Sequence, residues 1–543
     1  MSSIGIAIRA LRAVGMGLGL IAAWGAPADA DGGSPGGRLA EGRELFLREW
    51  TPNDPRSHGG DGLGPVFNDS SCVACHNAGG PGGGGPSSKN VDIVTAVQNQ
   101  FPQNFQAQPD SPSLPPGYLQ RAAMSLLGIE RGGSQAKGAA LTPAPPARPD
   151  TTRLIEAHPG FRSARSVVLH KSSVDPTYDA WRATITGLSQ FIPAVPPGAG
   201  GQVEINRLRA IAQAENNQMR AQVQIGPFEL VHSQRNPTAL FGIGQIDAIP
   251  DAAIEAASKV RYPDFPEVAG RVARRKDGRI GRFGWKSQTP TLSDFVLTAC
   301  AVELGLEVPG HPQGGLPRPS LKTATQSACK IELAVDGAIK PLDKATIVAS
   351  HLDLSADQCA ALEAYIRAFP VPVELNRSDR EVEAGRGLFA KVGCATCHSP
   401  KLGDQEGIYS DLLIHDMGQE LGDTGSYTPF VPGSEDPDFL DPPIADTVTV
   451  AVSNETAGQA RPMTGPATRV EWRTPPLWGV RDSSPYLHDG RAPTLERAIA
   501  LHGGQGERPA KAYFDLTPRE RLQVQAFLKS LTAPDVPTAV AGR

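Results

Sequence analysis

The chain has 543 residues, 40% of them hydrophobic and 20% charged, which is enough for two or more domains with sizeable cores. A formal net charge of −5 leaves no basic surplus to neutralise phosphates and argues against a nucleic-acid partner. The 59 glycines and 50 prolines predict long irregular connections rather than continuous regular structure.

Arg9 and Arg12 precede an apolar run from Ala13 to Trp24, and Ala28-Asp29-Ala30 then offers a small-residue cleavage site. This pattern predicts an export signal over residues 1–30, with a mature chain starting at Asp31. The run is too short to span a bilayer comfortably, so no integral membrane segment is expected after cleavage. A periplasmic or secreted location follows.

Leu39, Gly42, Leu45 and Phe46 fall on one face of a predicted helix, where Gly42 would let another helix approach closely. A near copy runs from Val382 to Phe389, sharing Gly-Arg-x-Leu-Phe. Each helix leads towards a C-x-x-C-H run. A polar stretch, Asn53 to Asn68, separates the first helix from Cys72-Val73-Ala74-Cys75-His76. The second leads almost directly into Cys394-Ala395-Thr396-Cys397-His398. Two thiols at this spacing can add to the two vinyl groups of a porphyrin, and the following histidine then reaches the iron. A redox cysteine pair or half of a zinc site are the alternatives. Two copies, each followed at once by histidine, favour two covalently bound haem c groups, with His76 and His398 as iron ligands.

After His76 comes a glycine-rich loop, Gly79 to Pro86, which would let backbone pass close to a porphyrin edge; no Lys-Ser/Thr pattern follows to make it a phosphate cradle. Residues 141–148 read as a proline-rich linker, and Tyr178 to Ile192 alternates weakly enough to predict a strand. The apolar run Thr238 to Gly244 could pack on a haem face. Beyond the two motifs lie Cys300, Cys329 and Cys359; a Cys300–Cys329 disulfide is the first expectation, with Cys359 a buried helical thiol.

Ser355-Ala356-Asp357-Gln358 and Thr517-Pro518-Arg519-Glu520 are capping boxes, each opening an amphipathic helix. Each half therefore reads helix, C-x-x-C-H, variable middle, capped closing helix. The expected architecture is mainly α, with two cytochrome c-like haem domains, long irregular loops and minor β in the expanded first domain. That domain would span 31–372 and the second 378–535.

Nine histidines remain outside the motifs. Context raises three: His415 beside Asp416 and Met417, His488 in Tyr486-Leu487-His488-Asp489-Gly490, and His502 at the end of a short helix. For the first haem, His58, His170, His232, Met124 and Met219 are sixth-ligand candidates without supporting context.

The runs Leu63 to Asn68, Arg235 to Pro250, Arg282 to Lys286, Tyr409 to Gly418, Arg473 to Gly479 and Leu487 to Gly504 resemble the dihaem oxidoreductases, some labelled thiol oxidoreductases. The Arg-Thr-Pro-Pro and Tyr-Leu-His-Asp-Gly segments resemble, more distantly, bacterial dihaem cytochrome c peroxidases, MauG-type enzymes and rubber oxygenases. The resemblance implies a peroxidase-like oxidoreductase. Electrons from a donor protein or small molecule would enter at the C-terminal haem, and peroxide or dioxygen would react at the N-terminal haem. In the peroxidases the helix after His-Asp-Gly carries a methionine ligand, so His502 is expected there opposite His398. Phe241 would line a distal pocket, as Phe does in the rubber oxygenases, and Trp285 is a candidate electron relay. The alternatives are a non-enzymatic dihaem electron carrier and an oxygenase acting on an apolar substrate. No thiol-substrate site is apparent near either motif.

Overall fold

The computed structural model describes residues 35–98, 151–162, 164–186, 205–206, 209, 223–275, 277–315, 351–425, 427 and 466–534. The export signal, the proline-rich linker, Met124, Met219, Cys329 and residues 187–192 lie outside the described residues.

In chain order, helix α1 (Pro35–Leu47) precedes the one-turn helix α2 (Cys72–Cys75). Strands β1 (Val91–Gln98), β2 (Ser166–Val168), β3 (Val223–Ile225) and β4 (Phe228–Arg235) form one antiparallel sheet in the order β2-β1-β4-β3. Helix α3 (Tyr178–Thr186) occupies the segment predicted as strand. Tyr178, Trp181 and Ile185 recur at helical spacing and are buried with Val94, Val167 and Leu230 of the sheet. That packing overrides the weak alternation.

Helices α4 (Ile243–Ala248), α5 (Leu292–Glu303) and α6 (Ala356–Arg367) complete the first half; α7 (Arg380–Lys391), α8 (Leu495–Ala500), α9 (Glu507–Phe514) and α10 (Pro518–Ser530) belong to the second. Both predicted capping boxes form, at Ser355 with Gln358 and at Thr517 with Glu520.

The two halves repeat one packing device. A Cβ on Gly42 of α1 would overlap the Ala361 carbonyl of α6, and one on Gly385 of α7 would overlap the Gln523 carbonyl of α10. Glycine is thus what lets each opening helix touch its closing helix backbone to backbone. Four residues further along, Phe46 meets Tyr365 and Phe369 with ring centroids 5.6 and 5.4 Å apart, and Phe389 meets Phe527 at 5.2 Å. Leu39, expected on the buried face, is 40% exposed because the contact begins one turn later, at Gly42. Cys300 and Cys359 are buried thiols in the first core, on α5 and α6.

Segment 271–289 of the first half runs along the second. Arg271 pairs with Glu471 at 2.5 Å, and the Arg473 amide donates to the Trp285 carbonyl at 3.0 Å. Strands β5 (Ile414–Asp416) and β6 (Glu471–Arg473) pair antiparallel beside it, placing His415 opposite Trp472. Among the described residues, no helix is long and apolar enough to cross a membrane.

Two glycines on α7 make a controlled test of this packing. Gly385→Ala should cost about 1–3 kcal/mol through overpacking. Gly387→Ala, whose Cβ would meet nothing within 4 Å, should gain about 0.5–1 kcal/mol from helix propensity. Denaturant unfolding of the two variants measures both.

Candidate functional site

Each C-x-x-C-H motif ends on an imidazole held by a backbone carbonyl. His76 Nδ1 lies 3.2 Å from the Gly83 carbonyl, and His398 Nδ1 lies 3.0 Å from that of Tyr409. A carbonyl only accepts, so each Nδ1 carries the proton and each Nε2 presents a lone pair. Burial pushes the pKa of His76 down and that of His398 to about 4, helped by nearby His502, so both rings are neutral. A neutral imidazole with its rear nitrogen bonded is the form that ligates a metal.

The carbonyls come from unusual backbone. Gly83 sits in the glycine-rich loop, where Gly79, Gly80 and Gly82 have φ of 79°, 122° and 90°, and the Gly82 amide donates to the His76 carbonyl at 2.9 Å. Tyr409 itself has φ 48°, and Leu412 and Leu487 nearby have 57° and 73°. Non-glycine residues in this region carry strain that surrounding packing must hold, and Tyr409 is held edge-on between Phe389 and Phe527.

Around the second motif a cavity is lined by Cys394, Cys397, His398, Met417 and His502, and on the side of the first half by Thr238, Ala239, Ile243 and Phe295. His502 follows α8, whose Thr494 cap accepts from the Arg497 amide; its Nδ1 contacts the Ala498 carbonyl at 2.7 Å, leaving Nε2 free. It is half-buried, and desolvation lowers its pKa as it does that of His398, so the ring is neutral at ordinary pH. Met417 lines the same cavity. His415 lines the same cavity, its Nε2 on Asp411 at 2.9 Å and its Nδ1 on Gln505 at 2.8 Å and 3.5 Å from the Cys397 Sγ. Its partner is therefore Asp411 and not Asp416, which is exposed. His488 stacks on Trp472, with its Nε2 3.5 Å from Asp423 and 3.7 Å from Asp489.

Arg473 is the buried charge that side-chain spacing alone does not announce. Its Nε donates to the Gly284 carbonyl at 2.9 Å, its Nη1 is buried with no protein partner, and burial brings its pKa down to about 10. A desolvated guanidinium on a cavity wall calls for an anion. Thiol pair, neutral imidazoles, apolar wall and unpaired guanidinium together fit a haem with its propionates. Cys394, Cys397, His398, His502 and Arg473 would hold the second; Cys72, Cys75 and His76 the first.

The other predicted residues are placed as follows. His58 is exposed, His170 Nε2 bonds the Val302 carbonyl at 2.9 Å, and His232 Nε2 meets Asp92 at 3.1 Å. Phe241 is buried and packs edge-on to Phe369 at 6.4 Å, and the cavity is lined by its neighbours Ala239 and Ile243 in its place. Trp285 lines the cavity where both halves contribute, its Nε1 donating to the Asn236 carbonyl at 2.9 Å.

Residues 212–429 and 457–531 match the family described as "Di-haem oxidoreductase, putative peroxidase". The chain is 29% identical over 160 residues to the methylamine utilization protein MauG of Methylorubrum extorquens, covering 28% of this chain and 35% of that protein. It is 28% identical over 167 residues to the cytochrome-c peroxidase IdrP2 of a Pseudomonas species, covering 28% of this chain and 40% of that protein. The match thus spans well under half of either relative. Among solved structures, a MauG-like protein associated with microbial copper homeostasis aligns with 53% of this chain and 90% of its own, at 17% identity and a TM-score of 0.23. Hydrazine synthase of Kuenenia stuttgartiensis aligns with 64% of this chain and 100% of its own, at 17% identity and a TM-score of 0.27.

His502 and Met417 compete for one position, and spectroscopy separates them. In the haem-loaded protein, His502→Ala should abolish the low-spin EPR signal of the C-terminal site, whereas Met417→Ala should leave it. The reverse pattern would reassign the ligand to Met417.

Proposed function

The chain belongs to the di-haem oxidoreductase family, and from that premise we propose that it is an exported peroxidase-like enzyme with unequal haem sites. The observation that carries the proposal is the asymmetry between the two motifs. His398 shares its cavity with His502, a second neutral imidazole with a free Nε2. Among the described residues, the candidates for completing the first site are each placed elsewhere: His58 exposed, His170 on Val302, His232 on Asp92; Met124 and Met219 lie outside those residues. Two imidazoles favour a closed, low-spin electron-transfer site; one imidazole leaves a position for substrate.

When bound, the haem groups supply the redox chemistry, with electrons entering at the C-terminal site and peroxide, or alternatively dioxygen, reduced at the N-terminal one. The chain's own residues do the rest. Gly83 and Tyr409 fix the tautomer and direction of His76 and His398. Ala239 and Ile243, backed by Phe241, give an apolar wall that excludes water. Trp285 stands where both halves line the cavity and serves as the relay between sites. Arg473 compensates buried negative charge. The electron donor, a protein or a small molecule, acts from outside the cavity, in the periplasm.

The oxidised protein should show one high-spin and one low-spin haem, with only the high-spin signal responding to cyanide or peroxide. His76→Ala should lower peroxide turnover by a factor of at least ~100, the scale of lost positioning at a reacting centre. Two low-spin signals that ignore peroxide would instead establish a non-enzymatic electron carrier, and dioxygen uptake with polyisoprenoid would establish an oxygenase.

A further inference from the structure

Trp472 is clamped between charges as no other cavity-lining aromatic is among the described residues. The Lys286 ammonium lies 3.6 Å from its ring centroid on one face, and the His488 ring stacks on it at 3.7 Å with an interplanar angle of 14°. The Arg235 guanidinium stands at 5.1 Å. The indole is 6% exposed, and its Nε1 donates to the Leu421 carbonyl at 3.0 Å.

Lys286 is itself half-buried, and desolvation pushes its pKa well below the ordinary lysine value. Its hydrogen bonds nevertheless count three protons. Nζ donates to the carbonyls of Thr468, Arg469 and Glu471 at 2.9, 2.8 and 2.9 Å. A neutral amine has two hydrogens to give; only the ammonium satisfies three acceptors. Asp423 and Glu471 lie close enough to favour that charge.

We propose that Lys286 holds Trp472 in its reduced form, making this indole an electrostatic block to electron hopping and not a stepping stone between the two sites. The inference rests on the reading that electrons pass between those sites. Removing an electron from an indole creates a radical cation, which an ammonium fixed over the ring repels where it had attracted the neutral π face. Trp285, lining the same cavity, has the opposite setting. Its Nε1 donates to the Asn236 carbonyl much as that of Trp472 donates to Leu421, but among the described residues the cation–ring contacts fall on other aromatics. Lys286 follows Trp285 directly in sequence, so one turn of chain presents one indole to the cavity and delivers the cation that silences another. Lys286 is thus a positioning residue for the electron path.

The test oxidises the haem-loaded protein photochemically, which needs no peroxide reactivity. An excited ruthenium(II) sensitiser gives one electron to a cobalt(III) amine. The resulting ruthenium(III) takes one electron from an indole, and dioxygen traps the indole radical as an oxygenated tryptophan. Peptide mass spectrometry then gives the ratio of oxygenated Trp285 to oxygenated Trp472. In the wild type the ratio should be about ten or more, the scale of a desolvated cation–π contact. Lys286→Met should bring it near one, and Lys286→Arg, which keeps the charge, should hold it high. A wild-type ratio near one overturns the proposal, as does a folded Lys286→Met variant whose ratio does not fall. If Lys286→Met does not fold, Lys286→Gln, which keeps donors to the carbonyls and removes the charge, decides by the same fall in the ratio, because the wild-type value also reflects the greater exposure of Trp285. Absence of peroxide turnover would overturn the functional reading above and leave this comparison intact.

Discussion

The hydrogen bond from each motif histidine to a backbone carbonyl is the constraint on which the rest of the structure depends. An imidazole next to a C-x-x-C pair can rotate and can carry its proton on either nitrogen; only a fixed acceptor behind it selects one state. Gly83 and Tyr409 are those acceptors, at 3.2 and 3.0 Å. Much else follows from keeping the two carbonyls in place. The glycine-rich loop adopts left-handed backbone that side chains would forbid, and Tyr409 is pinned in a strained conformation between two phenylalanines of the α7–α10 pair. The packing device at Gly385 is therefore also what supports the orientation of His398.

The same support is built differently in the two halves. In the second, motif, closing helix and the residue supplying the acceptor carbonyl share one compact core that includes Phe389, Tyr409, Val524 and Phe527. In the first, the core reaches outwards to α4 and α5, and the expanded middle of the chain leans on the second half. Buried polar contacts make that junction specific. Arg235 and Asp423, both about 7% exposed in their side chains, form a two-pronged ion pair, and Asp423 also faces His488. Breaking one partner of such a pair strands a buried charge, so the junction has one allowed register. The cavity walls at Ile243, Trp285, Arg473 and His488 inherit their relative positions from it.

Cation placement at this junction follows from the same economy of buried charge. Lys286 donates to three carbonyls of the turn at Thr468 to Glu471, and by doing so lands over Trp472. Arg473, on the cavity wall, donates to one carbonyl and has one buried nitrogen without a protein partner. The first charge is consumed by the protein; the second remains for a ligand.

Several features were legible in the sequence because they depend on neighbours a few positions away. The C-x-x-C-H spacing, the two capping boxes and the Gly-Arg-x-Leu-Phe repeat are local, and the helices they predict form where expected. The weak alternation from Tyr178 misled, since burial of Tyr178 and Trp181 against the sheet decides for helix there. What only tertiary structure decided was which distant groups meet. The acceptors behind His76 and His398 are main-chain oxygens, which leave no side-chain signature; His415 turned to Asp411 and Gln505; Arg235 found Asp423 188 residues away. The motif spacing is written in adjacent residues. The setting of each motif histidine is written in contacts that exist only once the chain has folded.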